Sequence, residues 1–211
     1  MKDKKIIIVA LIMAVISLSV GFAAFSSTLT ISSSATVTPN SSDFKVIFSS
    51  SETSAATTAI TPSVSGATAS NATVTGTKLS NISVAFTEPG QRADYAFYVR
   101  NDGQYDAYLN NVNIGSITCT PGTGATKALV DSACEGIKIS VTYGVGGTGM
   151  STSGQIVDKS TSQTNLTDYK LISGEYVYAI FRIMYNSGSA RADGPFTVTI
   201  GDTTFDFSTV D

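Results

Sequence analysis

The chain has 211 residues, with 13 Lys and Arg against 16 Asp and Glu, a formal net charge of −3, and no histidine or tryptophan. Only 14% of residues are charged, and the abundance of Ser, Thr, Gly and Ala suits an exported β-rich protein. Without imidazole there is no Ser-His-Asp or Cys-His site and no histidine-based zinc site. The scattered basic residues argue against a nucleic-acid partner.

The chain opens "MKDKK" and then runs apolar from Ile6 to Phe25, interrupted only by Ser17, Ser19 and Gly21. About twenty residues of helix just cross a bilayer, and the lysines would hold the start on the cytoplasmic side. The same pattern describes a secretory signal with Gly21 and Ala23 at −3 and −1, cut between Ala23 and Ala24. Residues 1–23 are therefore expected to be a signal peptide or a retained membrane anchor. Removing Lys2, Lys4, Lys5 and Asp3 leaves 10 basic and 15 acidic residues, so the exported part carries −5.

A strand is predicted at once. Leu29, Ile31, Ser33, Ala35 and Val37 alternate with Ser or Thr, a two-residue period with one apolar face. Residues 24–38 are read as this N-terminal strand and 39–211 as the body. "SDFKVIFSS" follows, with Phe44, Val46 and Phe48 on one face. Ser49–Lys78 is poor in large apolar residues and reads as a long decorated connection, with Ile60, Val64 and Val74 allowing thin edge strands.

Next come a strand at Ile82, Val84 and Phe86 and a turn at Pro89-Gly90. A strand then carries Ala93, Tyr95, Phe97 and Val99 on one face and Asp94, Ala96, Tyr98 and Arg100 on the other. Asn101-Asp102-Gly103 predicts a tight hairpin returning through Tyr105–Ile114. A short helix is expected in "ATKALVDSACEG", then a strand in "GIKISVTYG" and a glycine-rich loop in "GVGGTGMSTSG". That loop lacks the Lys-Ser/Thr ending of a phosphate loop, so no nucleotide site is read there.

Toward the end the grammar repeats. Ser173-Gly174-Glu175 echoes Pro89-Gly90-Gln91, and Asn186-Ser187-Gly188 echoes Asn101-Asp102-Gly103. Between them Tyr176–Tyr185 is apolar on both faces, which marks a central strand. "FTVTI" and "TTFDFSTV" are expected to pair as a hairpin through Gly201-Asp202. The whole predicts an all-β, antiparallel two-sheet sandwich, jelly-roll or immunoglobulin-like, with one short helix.

Candidate chemistry is sparse. Cys119 and Cys134, in an exported chain, predict one structural disulfide, since two lone thiols are too few for a metal site. Asp102 with Asp106, and Asp202 with Asp206, read as turn residues and solvated strand ends rather than catalytic pairs. Tyr95, Tyr98, Tyr105, Tyr108, Tyr176 and Tyr178 are read as exposed aromatics, either sheet packing or a contact surface for sugar or protein. No catalytic residue, metal or cofactor is expected.

The junction "SVGFAAFSS" and the block "AFTEPGQRADYAFYVRNDGQYDAYLNNVNI" resemble the TasA/camelysin family of Gram-positive secreted biofilm-fibre proteins. The shared pattern is a signal-peptide junction followed by Ala-Phe, and Pro-Gly, an aromatic-alternating strand, Asn-x-Gly and a small-residue strand. About ten and thirty residues carry the likeness, and the middle and end do not align. Some members are described as metalloproteases, an activity this histidine-free chain does not support. The resemblance implies cleavage by a dedicated signal peptidase, and a jelly-roll subunit whose N-terminal strand inserts into the next copy. Elementary physics agrees, because a free alternating strand seeks a sheet edge. Phe25, Leu29, Ile31, Ala35 and Val37 would be the donor residues, and copies of the chain the partners. The alternative is a membrane-tethered surface domain for adhesion or ligand binding.

Overall fold

The computed structural model describes residues 43–145, 153–155 and 170–209. The expected signal or anchor (1–23), its cleavage pair Ala23 and Ala24, and the donor residues Phe25, Leu29, Ile31, Ala35 and Val37 lie outside them. The described body belongs to one compact unit, Pro39–Asp211, separate from Met1–Thr38.

The body is antiparallel β-structure in two facing layers. The first is a sheet of order β1 (Val46–Ser49), β8 (Arg92–Asn101), β14 (Tyr176–Tyr185), β11 (Ile137–Val145), β12 (Ser153–Gln155). A short strand, β3 (Ser63–Ser65), shares the β1 side of β8. Strict alternation builds this sheet: on β8 and β14 every second residue from Ala93 and Val177 onward is buried and the residues between are half-buried. β14 is central as expected, although only one of its faces is sealed. β8 and β14 pair along nearly their full length, Arg100 opposite Tyr176 through Arg92 opposite Met184.

The second layer has two ladders. One has the order β13 (Lys170–Leu171), β9 (Ala107–Asn113), β16 (Thr203–Ser208), β6 (Lys78–Ser80), β5 (Ala72–Thr75), β2 (Ala59–Ile60). The other is β10 (Ile117–Pro121), β15 (Phe196–Ile200), β7 (Ile82–Phe86), β4 (Thr68–Ala69). The ladders continue one another: β6 runs into β7 through Asn81, β9 into β10, and β15 into β16. The bend is written into the backbone. Asn81 sits at φ 58°, a left-handed position that asparagine tolerates. A β carbon on Gly115 would meet the Gly201 carbonyl oxygen at 2.6 Å and that of Asp202 at 2.7 Å. Only glycine lets those two strands cross so closely.

Aromatic side chains fill the space between the layers. Phe48 and Phe97 of the first layer lie 5.2 and 5.7 Å, centroid to centroid, from Phe205 of the second. Tyr185 likewise packs on Phe86 and Phe196 at 6.0 and 5.3 Å. All six are at most 1% exposed, and each such side chain contributes about 1.5–3 kcal/mol of burial. The helix α1 (Lys127–Cys134) connects β10 to β11 and buries Val130 and Ala133.

Two expectations are corrected. Asn101-Asp102-Gly103 makes no tight hairpin: β8 pairs with β14, β1 and β3, and the chain crosses to the other layer before β9 begins at Ala107. None of the three residues has positive φ. Asn101 is instead buried, and its amide donates to Tyr105 O at 2.7 Å and Leu171 O at 2.9 Å while its oxygen accepts from Gly103 N. Gly201-Asp202 makes no hairpin either, because β15 and β16 pair with successive halves of the same neighbours. Along Ser49–Lys78 the thin strands allowed at Ile60, Val64 and Val74 form as β2, β3 and β5, joined by β4, with Ile60 and Val74 buried and Val64 exposed.

The Gly90 and Gly174 echo is geometric. Both glycines have positive φ, 94° and 81°, and each starts one of the two central partners β8 and β14.

Candidate functional site

Cys119 of β10 and Cys134 at the end of α1 are joined by a disulfide, with α carbons 6.1 Å apart. It pins the helix to the second layer. The helix start is tied as well: Thr126 donates its backbone N–H and hydroxyl to the Asp193 carboxylate at 2.8 and 2.6 Å. Those bonds hold the Asp193 carboxyl below its ordinary range.

Each acid of the two candidate pairs has a partner of its own. Asp102 meets Arg100 at 2.7 Å and Lys45 at 3.8 Å, and Asp106 meets Lys170 at 2.6 Å, which raises the lysine's pKa. Asp202 accepts from Lys78 and Asp206 from Asn113. Among the described residues no three His, Cys, Asp or Glu side chains are placed to hold a metal ion. No helix of the described residues is long and apolar enough to cross a membrane.

The tyrosines expected to be exposed divide, and Tyr95 is a correction because it faces the core with Ala93 and Phe97. Tyr95 is fully buried and donates to Ser70 O at 2.9 Å; burial pushes its pKa up to about 12. Tyr98, Tyr176 and Tyr178 stand half-buried on the outer face of the first sheet, Tyr98 being 5.8 and 5.1 Å from the other two ring centroids. Glu52 hydrogen-bonds the Tyr176 hydroxyl and raises its pKa. Beside them Arg100 donates to Ser54 O and Asp102. Arg182 binds both carboxylate oxygens of Asp94, at 2.7 and 2.8 Å, and its pKa rises accordingly. This Asp94–Arg182 pair was missed from sequence. The signal was present in the two turn glycines, but using it requires knowing that β8 and β14 are antiparallel neighbours.

Tyr105, 57% exposed, and half-buried Tyr108 lie elsewhere, toward the end of the sandwich where β8 finishes. Loops 101–106 and 171–175 meet each other there, and the first of them also meets Asp43–Lys45. Asp43 O accepts from Gln104 N and Tyr105 N at 2.8 and 3.2 Å, and Ser173 donates to Gly103 O at 2.7 Å. A β carbon on Gly103 would strike Lys45 N at 2.6 Å and Asp43 O at 2.8 Å. At the opposite end, where β8 starts, an open cleft of about 450 Å³ is lined by Thr87 and Arg191–Pro195.

No family model, curated protein or solved structure matches this chain.

Proposed function

We propose that the chain is a secreted structural subunit, not an enzyme, that assembles head-to-tail into extracellular fibres by donor-strand exchange. The observation that carries this reading is the division of the chain. Phe25, Leu29, Ile31, Ala35 and Val37 alternate within a stretch that ends at Thr38, and the compact sandwich is built from Pro39 onward. A segment with alternating strand chemistry outside the unit that forms the sandwich is suited to a neighbour's sheet edge. One surface that gives and a different one that receives do not close on themselves, so the product is a filament. The two-layer body is read more finely as a jelly roll, and residues 1–23 as a signal peptide removed between Ala23 and Ala24. The partners are other copies of the chain, a signal peptidase and, before cleavage, the membrane; no cofactor is involved.

The test is the N-terminus of the protein found outside the cell, by sequencing and intact mass. An Ala24 start supports release and assembly. An intact Met1, recovered only with membranes, removes the fibre reading and leaves the second one, a tethered surface domain. The tyrosine cluster on the outer face of the first sheet favours that second reading, because Tyr98, Tyr176 and Tyr178 offer rings and hydroxyls for adhesion.

A further inference from the structure

We propose that the end of the sandwich bearing Tyr105 and Ile172 is the surface that docks onto a second copy of this chain, and that it meets the cleft at the other copy's opposite end. The inference rests on the fibre reading and names its contact faces. Exposed large apolar residues among the described ones are Val64, Tyr105, Leu129 and Ile172. Tyr105 and Ile172, 57% and 42% exposed, share one end. Asn101 ties them there, its amide reaching Tyr105 O and Leu171 O.

That end is also where the preceding chain arrives. The Asp43 carbonyl accepts from the backbone N–H groups of Gln104 and Tyr105, so the first described residue lies one backbone hydrogen bond from Tyr105. A strand donated from this point carries the Tyr105 end toward whichever copy receives it. The surface has the anatomy of an interface, with an apolar centre and a charged rim already paired as Lys45–Asp102 and Lys170–Asp106. It is also rigid: the backbone packing at Gly103 and the bond from Ser173 fix both loops, which lowers the ordering cost of docking.

The receiving face lies a full strand away. β8 runs ten residues from one end to the other, about 30 Å at the usual rise. There the cleft lined by Thr87 and Arg191–Pro195 opens, and the exposed Arg191 guanidinium, 3.9 Å from the Glu88 carboxylate, can stack a free face on a tyrosine ring. Leu129, 43% exposed on α1, adds apolar surface near the Asp193–Thr126 tie. Two unlike surfaces at opposite ends give a contact that repeats without closing.

The experiment uses the full mature chain from Ala24 in a polymerisation assay, with thermal melting as the check on folding. Tyr105→Ser with Ile172→Ser should raise the concentration needed for assembly about tenfold or more and leave the melting temperature unchanged. Unaltered assembly of this folded variant overturns the proposal while the fibre reading stands. A wild-type chain that never polymerises overturns both. Should the serine variant melt early, cysteines at Tyr105 and Arg191 decide the matter. A ladder of oxidised oligomers supports the head-to-tail contact, and fibres without cross-links overturn it. Dimers from Tyr105→Cys alone mean head-to-head packing and overturn it too.

Discussion

The two layers solve the same problem differently. The first uses long strands, ten residues each in β8 and β14 and nine in β11, which bulges only near its end at Tyr143–Val145; its outer face carries Tyr98, Tyr176, Tyr178 and the Asp94–Arg182 pair. The second bends its main strands once, at β6/β7, β9/β10 and β15/β16, and around β10, β15, β7 and β4 its outer face is small and uncharged: Thr118 opposes Thr199, Thr120 opposes Thr197, and Ala85 lies between Thr197 and Thr68. Straight strands hold themselves by side-chain alternation. The bent layer depends on backbone approach at Gly115 and Gly201, so the same kind of substitution should have different consequences in the two.

The largest effect is expected in the shared core. Phe97→Ala, which empties a site touching both Phe48 and Phe205, should cost about 3–5 kcal/mol in denaturant titration. At the bend, Gly115→Ala forces the Gly201 backbone aside and should cost about 3 kcal/mol. Gly76→Ala, at φ 60° with open space around it, should cost only about 1–2 kcal/mol. Equal losses at Gly115 and Gly76 would mean that the close crossing is not what sets the bend.

Replacing Cys119 and Cys134 together by serine should remove about 3 kcal/mol by the loop-entropy estimate while the circular-dichroism signature stays β. The link closes a loop of separation 15 between the bent layer and α1, so the melting temperature should fall under reducing conditions as well. Tyr95 provides a pH readout. Its folded pKa is raised to about 12, so the unfolded chain sheds this proton first, from about pH 10 upward. Stability should therefore fall as pH rises between these values, by about 2–3 kcal/mol in total. Tyr95→Phe should flatten that part of the profile, and an unchanged slope would assign it to other groups. The smallest effect is expected on the outer face of the bent layer, where Thr199→Ala should stay within about 0.5 kcal/mol.

How much of this was legible follows from the same contrast. The inward alternation of Ala93–Val99, the turn glycines at 90 and 174, the helix before Cys134 and the disulfide are local signals, and the sequence reading placed them correctly. The bends were not legible. Gly201-Asp202 and Asn101-Asp102-Gly103 have turn composition, but their geometry is decided by partners far along the chain. Gly115 constrains Gly201 from 86 positions away, and Leu171 accepts from Asn101 across a separation of 70. The same distance problem hid the Asp94–Arg182 pair and brought Tyr105 to Ile172. The proposed donor residues Phe25, Leu29, Ile31, Ala35 and Val37 lie outside the described residues, and their alternation is the signal that supports the proposed role.

The central claim is that residues 24–37 join one copy to the next. It is tested most directly by sedimentation and electron microscopy of two purified chains, one beginning at Ala24 and one at Thr38. The account predicts fibres from the first and a folded monomer from the second, with synthetic peptide 24–37 binding the monomer and capping it. Fibres from the chain that begins at Thr38 would contradict the account.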